Sequence, residues 1–117
     1  MQNEKINYIE MPASDLEGTK AFFTAAFGWG FEDYGPDYAA ILNAGIDGGF
    51  FRSPVIMRAQ QGSALVVLRS ESLEASYQHV VEAGGNIEQE IYSFPGGRRF
   101  HFTDPSGNEY AIWGDEL

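Results

Sequence analysis

The sequence contains no cysteine, which excludes disulfide staples, thiolate metal sites and cysteine nucleophiles together. Basic residues are scarce: 7 Lys and Arg stand against 17 Asp and Glu, for a formal net charge of −10. A nucleic-acid binder needs a basic footprint to displace counterions from phosphates, so that class is excluded. The same field disfavours anionic membrane surfaces. Histidine is limited to His79 and His101. No apolar run approaches the roughly 20 residues that span a bilayer. The opening Met1-Gln2-Asn3-Glu4-Lys5 has no basic stretch leading into a long apolar one. A cytoplasmic protein with no nucleic-acid and no membrane partner is expected. Phosphate loops are missing too, since Gly48-Gly49 and Gly96-Gly97 precede strands rather than helices.

What the chain does have is apolar and aromatic weight. Hydrophobic residues make up 44% of the 117 positions and aromatics 15%, enough for one domain over residues 1–117 with a core rich in Phe and Tyr. The pattern repeats. A β-favouring run at 6–11 stops at Pro12, and Ser14-Asp15 can cap a helix over 15–27. Leu16, Thr19, Phe23, Ala26 and Phe27 share one face of that helix, and Gly28 is a plausible stop. Strands follow at 29–34, 38–43 and 48–53, separated by turn chemistry.

The second half runs in the same order. A strand at 64–69 leads to a helix capped by Ser70 or Ser72 and running to about residue 83, with Leu73, Tyr77, Val80 and Val81 as its stripe. Strands at 86–92, 98–103 and 108–113 complete it. Aligning Leu16 with Leu73 also aligns Glu17 with Glu74, Ala26 with Ala83 and Gly28 with Gly85. The reading is an α+β fold of two βαβββ modules, about 5–53 and 63–114, with a polar connector at 54–62. Each module leaves one sheet face uncovered, and placing those faces towards each other forms a curved, incomplete β-barrel around a cleft with the helices outside. Strand parity puts Phe100 and Phe102 in the core and turns Arg99, His101 and Thr103 towards the cleft; in the last strand it groups Tyr110 with Ile112 on one face and Glu109, Ala111 and Trp113 on the other. In the first strand parity leaves open whether Tyr8 and Glu10 or Ile9 and Met11 face inward.

Two stretches carry a family resemblance. One is Tyr8-Ile9-Glu10-Met11-Pro12-Ala13-Ser14-Asp15-Leu16-Glu17, with Ala21-Phe22-Phe23 and Phe27-Gly28-Trp29 behind it. The other is Phe102-Thr103-Asp104-Pro105-Ser106-Gly107-Asn108-Glu109-Tyr110. Together they resemble the glyoxalase/bleomycin-resistance/extradiol-dioxygenase (vicinal oxygen chelate) superfamily, nearest the subgroup related to lactoylglutathione lyase. The resemblance implies metal ligands at matching places in the two halves. Those places fall on Tyr8, on Gly48 or Gly49, on Ala64 or Leu65, and on Ala111. Divalent transition metals need three or four N, O or S donors, so no metal and no other cofactor is expected.

The cleft must then supply the function. Glu10, mid-strand where Glu is depleted, and His101 are the candidate catalytic acid/base residues. Each also has a purely structural reading, as an anchoring carboxylate and a satisfied histidine. Tyr8, Trp29, Phe51, Arg99 and Trp113 are the candidate ligand-binding residues. Arg98 and Arg99 follow a Gly-Gly pair, where a carboxylate could be received. His79 reads as a surface residue, and Asp104, Ser106 and Gly107 as turn formers. The expected function is binding of a small apolar or aromatic molecule without metal, as the bleomycin-resistance branch does. That branch implies a homodimer. The rival readings are a metal-independent lyase or isomerase using Glu10 or His101, and a regulatory module that binds a protein.

Overall fold

The computed structural model describes residues 3–115. Strand β1 (Tyr8–Ala13) runs into helix α1 (Leu16–Phe27), and β2 (Gly30–Asp33), β3 (Tyr38–Leu42) and β4 (Asp47–Arg52) follow. The second module repeats the order with β5 (Val66–Arg69), α2 (Leu73–Glu82), β6 (Asn86–Phe94), β7 (Gly97–Thr103) and β8 (Glu109–Gly114). The modules form two four-stranded sheets, ordered β1-β4-β3-β2 and β5-β8-β7-β6. In each, the first and last strands of the module pair in parallel and the remaining neighbours are antiparallel. The sheets do not close into a barrel. No helix among the described residues is long and apolar enough to cross a membrane.

Local chemistry sets the helix ends. The Asp15 carboxylate accepts from the Gly18 N–H at 3.0 Å, which caps α1. Gly28 closes the helix in the left-handed region at φ 74°. At α2 the residue in the N-cap position is Ser72, whose own side chain caps nothing. Ser70 acts instead: its hydroxyl accepts from the Ser72 N–H at 3.0 Å and bonds Ser76 Oγ at 2.6 Å.

Two sequence expectations shift. β1 does not stop at Pro12 but passes through it to Ala13, because β1 is an edge strand and a residue without an N–H is tolerated there. Val81 is exposed. It lies one residue, about 100° of helix, beyond a buried stripe made of Leu73 and Val80 with Tyr77 half-buried.

Both helices share one layer. Phe22 and Phe23 of α1 pack on Phe102 of the second sheet, and Phe23 also stacks on Phe50 of the first. Tyr77 of α2 lies against Phe100. α1 touches α2 as well, and a side chain at Gly85, just past α2, would meet the Phe22 ring at 2.7 Å. One aromatic core therefore spans both modules. Phe100 and Phe102 lie in it, as strand parity predicts, and in the last strand it is the Tyr110 and Ile112 face that joins them. The ambiguity in β1 resolves with Met11 buried in the core and Ile9 packed against it, which leaves Tyr8 and Glu10 on the opposite, uncovered face.

Candidate functional site

Three places hold the predicted residues. The first is the bare face of the first sheet. Here Tyr8, Glu10 and Tyr38 form a hydrogen-bonded cluster: the two phenols meet at 2.5 Å, and Tyr38 donates to the Glu10 carboxylate at 3.0 Å. Glu10 pairs in register with Gly49. A Cβ at Gly49 would collide with the Tyr38 hydroxyl at 2.1 Å, so glycine is what lets the phenol lie across the strand. Burial, with the hydrogen bonds to Tyr8 and Glu10, pushes the Tyr38 hydroxyl far above its ordinary value and keeps it a neutral phenol. Phe51 lies on the same face and is exposed.

The second place is the face of the second sheet turned away from the helices. His101 is only 4% exposed. Its Nδ1 sits 2.8 Å from a Glu109 oxygen and its Nε2 3.0 Å from the Tyr92 hydroxyl. The other Glu109 oxygen accepts from the Ala59 N–H at 3.1 Å and lies 3.6 Å from Arg58 Nε. Burial alone would raise the Glu109 carboxyl. The His101 and Ala59 hydrogen bonds and the Arg58 charge outweigh it and hold the group below its usual range. Arg99 hydrogen-bonds Tyr92 through Nε and lies over the Tyr92 and Phe94 rings, and Trp113 is its register partner in β8.

The third place is a hollow of about 330 Å³ where the edge strands β1 and β5 approach each other. Ile9, Met11, Trp29, Ile41, Val66 and Leu68 supply much of its apolar wall, and Asp47 and Arg69 are the charged residues in its lining. Of the predicted ligand-binding residues, Trp29 lines it, stacked on Phe23 at 4.4 Å. Tyr8 and Phe51 belong to the first face, and Arg99 and Trp113 to the second. No hydrogen bond or ring contact among the described residues joins those two groups, or joins Glu10 to His101. His79 is exposed.

A divalent metal of the kind the resemblance implies does not fit these residues. At the implied positions, Gly49 is overlain by Tyr38, and Ala64, Leu65 and Ala111 carry only hydrocarbon, so three of the four corners offer hydrogen or hydrocarbon. Tyr8, the fourth, is bonded to a neutral phenol. No group of three or more His, Asp or Glu among the described residues is placed to hold a metal ion.

Three residues escaped the sequence reading of the site. Arg58 sits in a polar connector and looks like linker, yet folds back between Glu88 and Glu109. Glu109 was grouped with Ala111 and Trp113, but its pairing with His101 is diagonal across β7 and β8 and needs the register to be seen. Asn108 looked like the end of a turn. It is fully buried, and its side chain reaches Pro12 and Met57.

Comparison with known proteins adds the family. The model of the Glyoxalase/Bleomycin resistance protein/Dioxygenase superfamily matches residues 5–112. Two curated mycobacterial relatives, both named "Putative glyoxylase CFP32", from Mycobacterium bovis and Mycobacterium tuberculosis, are 26% identical over 92% of this chain. The chain spans 44% of their length. Among solved structures, a glyoxalase/bleomycin resistance protein/dioxygenase family enzyme from Burkholderia phytofirmans superposes with a TM-score of 0.76 at 15% identity, covering 94% of this chain and 98% of that one. TnmS3, an antibiotic binding protein from a Streptomyces species, gives 0.70 at 21% identity with 99% of both chains covered. At such identities the structures establish the shared fold.

Proposed function

This chain belongs to the glyoxalase/bleomycin resistance protein/dioxygenase superfamily, and on that premise we propose that it binds a small apolar or aromatic molecule between its two modules without using a metal ion. The observation that carries the reading is the hollow itself. It sits at the lower end of the size range of small-molecule pockets, and its wall is apolar with few charged groups, as ligand sites are. Metal independence is supported by the donor-poor set Tyr8, Gly48 or Gly49, Ala64 or Leu65, and Ala111.

The test uses a neutral bicyclic aromatic such as indole. At a hundredfold excess over its dissociation constant, mass action stabilises the folded chain by about 2.7 kcal/mol, a rise in melting temperature on the order of 10 °C. Ala44→Phe fills the hollow from its lining and should abolish the rise, while a chelator should leave it unchanged. An equal rise in Ala44→Phe would refute the location, and loss of binding on chelation would refute metal independence.

The lyase or isomerase reading draws on the Glu109–His101–Tyr92 chain, in which a buried imidazole is oriented by a carboxylate as general acid–base residues are. Its weakness is that His101 reaches outward only through the Tyr92 hydroxyl. Glu10 stands exposed with Tyr38 as its donor.

A homodimer is the proposed assembly. Tyr8, Leu42 and Phe51 on the bare face of the first sheet are 45%, 43% and 37% exposed, an apolar group of the kind that a second copy covers. Sedimentation should return twice the chain mass, and Phe51→Glu should shift the equilibrium to monomer by at least tenfold. A monomer at all concentrations would overturn this assembly.

A further inference from the structure

Arg99 stands apart from the other arginines of the chain. Arg52 is paired with Asp37, Arg58 with Glu88, Arg69 with Asp115 and Arg98 with Glu74. Arg99 has no carboxylate partner among the described residues. In a chain of net charge −10 a guanidinium has no shortage of acids to pair with, so leaving one unpaired and half-buried carries an electrostatic cost that a ligand would relieve. Its place is fixed all the same. Nε donates to the Tyr92 hydroxyl, and the guanidinium carbon lies 5.5 Å from the Tyr92 ring centre and 5.7 Å from that of Phe94. The two terminal nitrogens have no hydrogen-bond partner among the described residues.

The support beneath Arg99 is buried and complete. His101 lies between Glu109 and Tyr92, with Nδ1 against the carboxylate and Nε2 against the hydroxyl, and the tautomer with its proton on Nδ1 lets Nε2 accept from the Tyr92 O–H. The Tyr92 oxygen is then free to accept from Arg99. The hydrogen-bond chain thus has one direction, from the guanidinium through phenol and imidazole to a carboxylate, and it locks the Arg99 fork in position. Beside the fork stand Phe94 and Trp113, edge to face at 6.2 Å, with Trp113 half-buried and opposite Arg99 in the ladder.

We propose that Arg99, with Tyr92, Phe94 and Trp113, forms a binding site for the carboxylate of a small aromatic acid. A single planar fork with two donors matches a carboxylate in the bidentate manner, and the flanking rings match a flat apolar body. The acidic field of the protein, with a net charge of −10, disfavours a phosphate dianion more than a monoanion. This site shares no residue with the hollow between β1 and β5, so either can fail without the other.

The probes are 2-naphthoate and its neutral amide, titrated against the full chain and followed by the side-chain N–H resonances of Arg99, Trp113 and Trp29. The acid is expected to shift Arg99 and Trp113, to bind at least tenfold more tightly than the amide, and to weaken in high salt. Arg99→Gln should lose tenfold or more of the affinity, and Arg99→Lys, which keeps the charge without the fork, should lose less. The hollow-filling Ala44→Phe should change affinity by less than threefold. Equal binding of acid and amide to the unmodified chain would overturn the proposal, independently of whether any variant folds. So would full affinity in Arg99→Gln, or shifts confined to Trp29.

Discussion

Phe23→Ala is expected to cost about 3–5 kcal/mol of folding stability, the range for deleting a fully buried aromatic ring. Few positions in the chain are so heavily committed. Phe23 is fully buried, stacks on Trp29 and Phe50, and meets Tyr110 edge-on at 5.2 Å and Phe102 at 6.5 Å. Trp29 and Phe50 belong to the first module, Phe102 and Tyr110 to the second. The ring is therefore a rivet between modules as well as a core residue of α1. The alanine cavity would open on both sheets at once, where neither can relax without moving the other. Against a total stability of about 5–15 kcal/mol this is a large fraction. Urea denaturation monitored by circular dichroism should show the midpoint falling steeply with the slope preserved and a single transition. A loss below about 1 kcal/mol would mean that the modules do not share a core, and two separated transitions would mean that the ring was all that coupled them.

How far this architecture was legible follows from which interactions are local. Helix ends are written in neighbouring residues, so Asp15 and Gly28 announced α1 without tertiary information. β7 alternates Phe100 and Phe102 with Arg99, His101 and Thr103 so clearly that its faces could be assigned from parity alone, whereas β8, with Ala111 and Trp113 opposite Tyr110 and Ile112, shows only which residues share a face. β1 resisted because Tyr8 and Ile9, or Glu10 and Met11, give no clean alternation, and only the Phe-rich helix layer decides which set turns inward. Pro12 misled for a related reason: a proline ends a central strand but not an edge one, and edge status is a property of the sheet.

The sites were less legible than the fold. The hollow lies between two edge strands far apart in sequence, and no single segment signals it. Its lining residues read as ordinary core, and most of them are. Arg99 could be placed on the cleft face, but nothing in the sequence showed that Arg58, Arg69 and Arg98 would be neutralised and Arg99 not. That asymmetry depends on which acids the register brings near. Tyr38 over Gly49 is a similar case. A glycine in a strand marks close approach of something, but only the folded β3–β4 pairing identifies it as a phenol lying where a ligand-bearing side chain would otherwise emerge.

Asn108→Ala should destabilise the chain by about 2–5 kcal/mol, because it orphans two buried backbone groups at about 1–3 kcal/mol each. The side-chain amide donates to the Pro12 carbonyl at 2.6 Å, and its oxygen accepts from the Met57 N–H at 2.9 Å. One residue thus ties the β1 edge strand, the connector and the 104–108 turn. Pro12 cannot donate, and its carbonyl, turned to the sheet's outer edge, has Asn108 as its partner. The neighbouring Ser106 hydroxyl reinforces the seam through the Asp15 N–H and Thr19 Oγ1, so the turn should survive the substitution while its grip on β1 does not. Amide exchange at Met57 and along β1 should therefore accelerate more than at α2, which a uniform loss of stability would not produce. Asn108→Asp is the sharper variant. It keeps the acceptor for Met57, loses the donor to Pro12, and places a second carboxylate where Asn108 Nδ2 now stands 3.5 Å from Asp104. Asp104 is itself buried, and burial raises its carboxyl above the ordinary value despite the hydrogen bonds from Tyr110, Asn108 and Ser106. Two acids in that space would each resist ionisation, so the folded state would hold protons that the unfolded state releases. Stability of Asn108→Asp should then be greatest at low pH and fall as pH rises through the elevated carboxyl range, more steeply than that of Asn108→Ala, which only removes the side-chain hydrogen bond to Asp104. Thermal denaturation from pH 4 to 8 checks it, and parallel profiles for the two variants would contradict the assigned contact between positions 104 and 108.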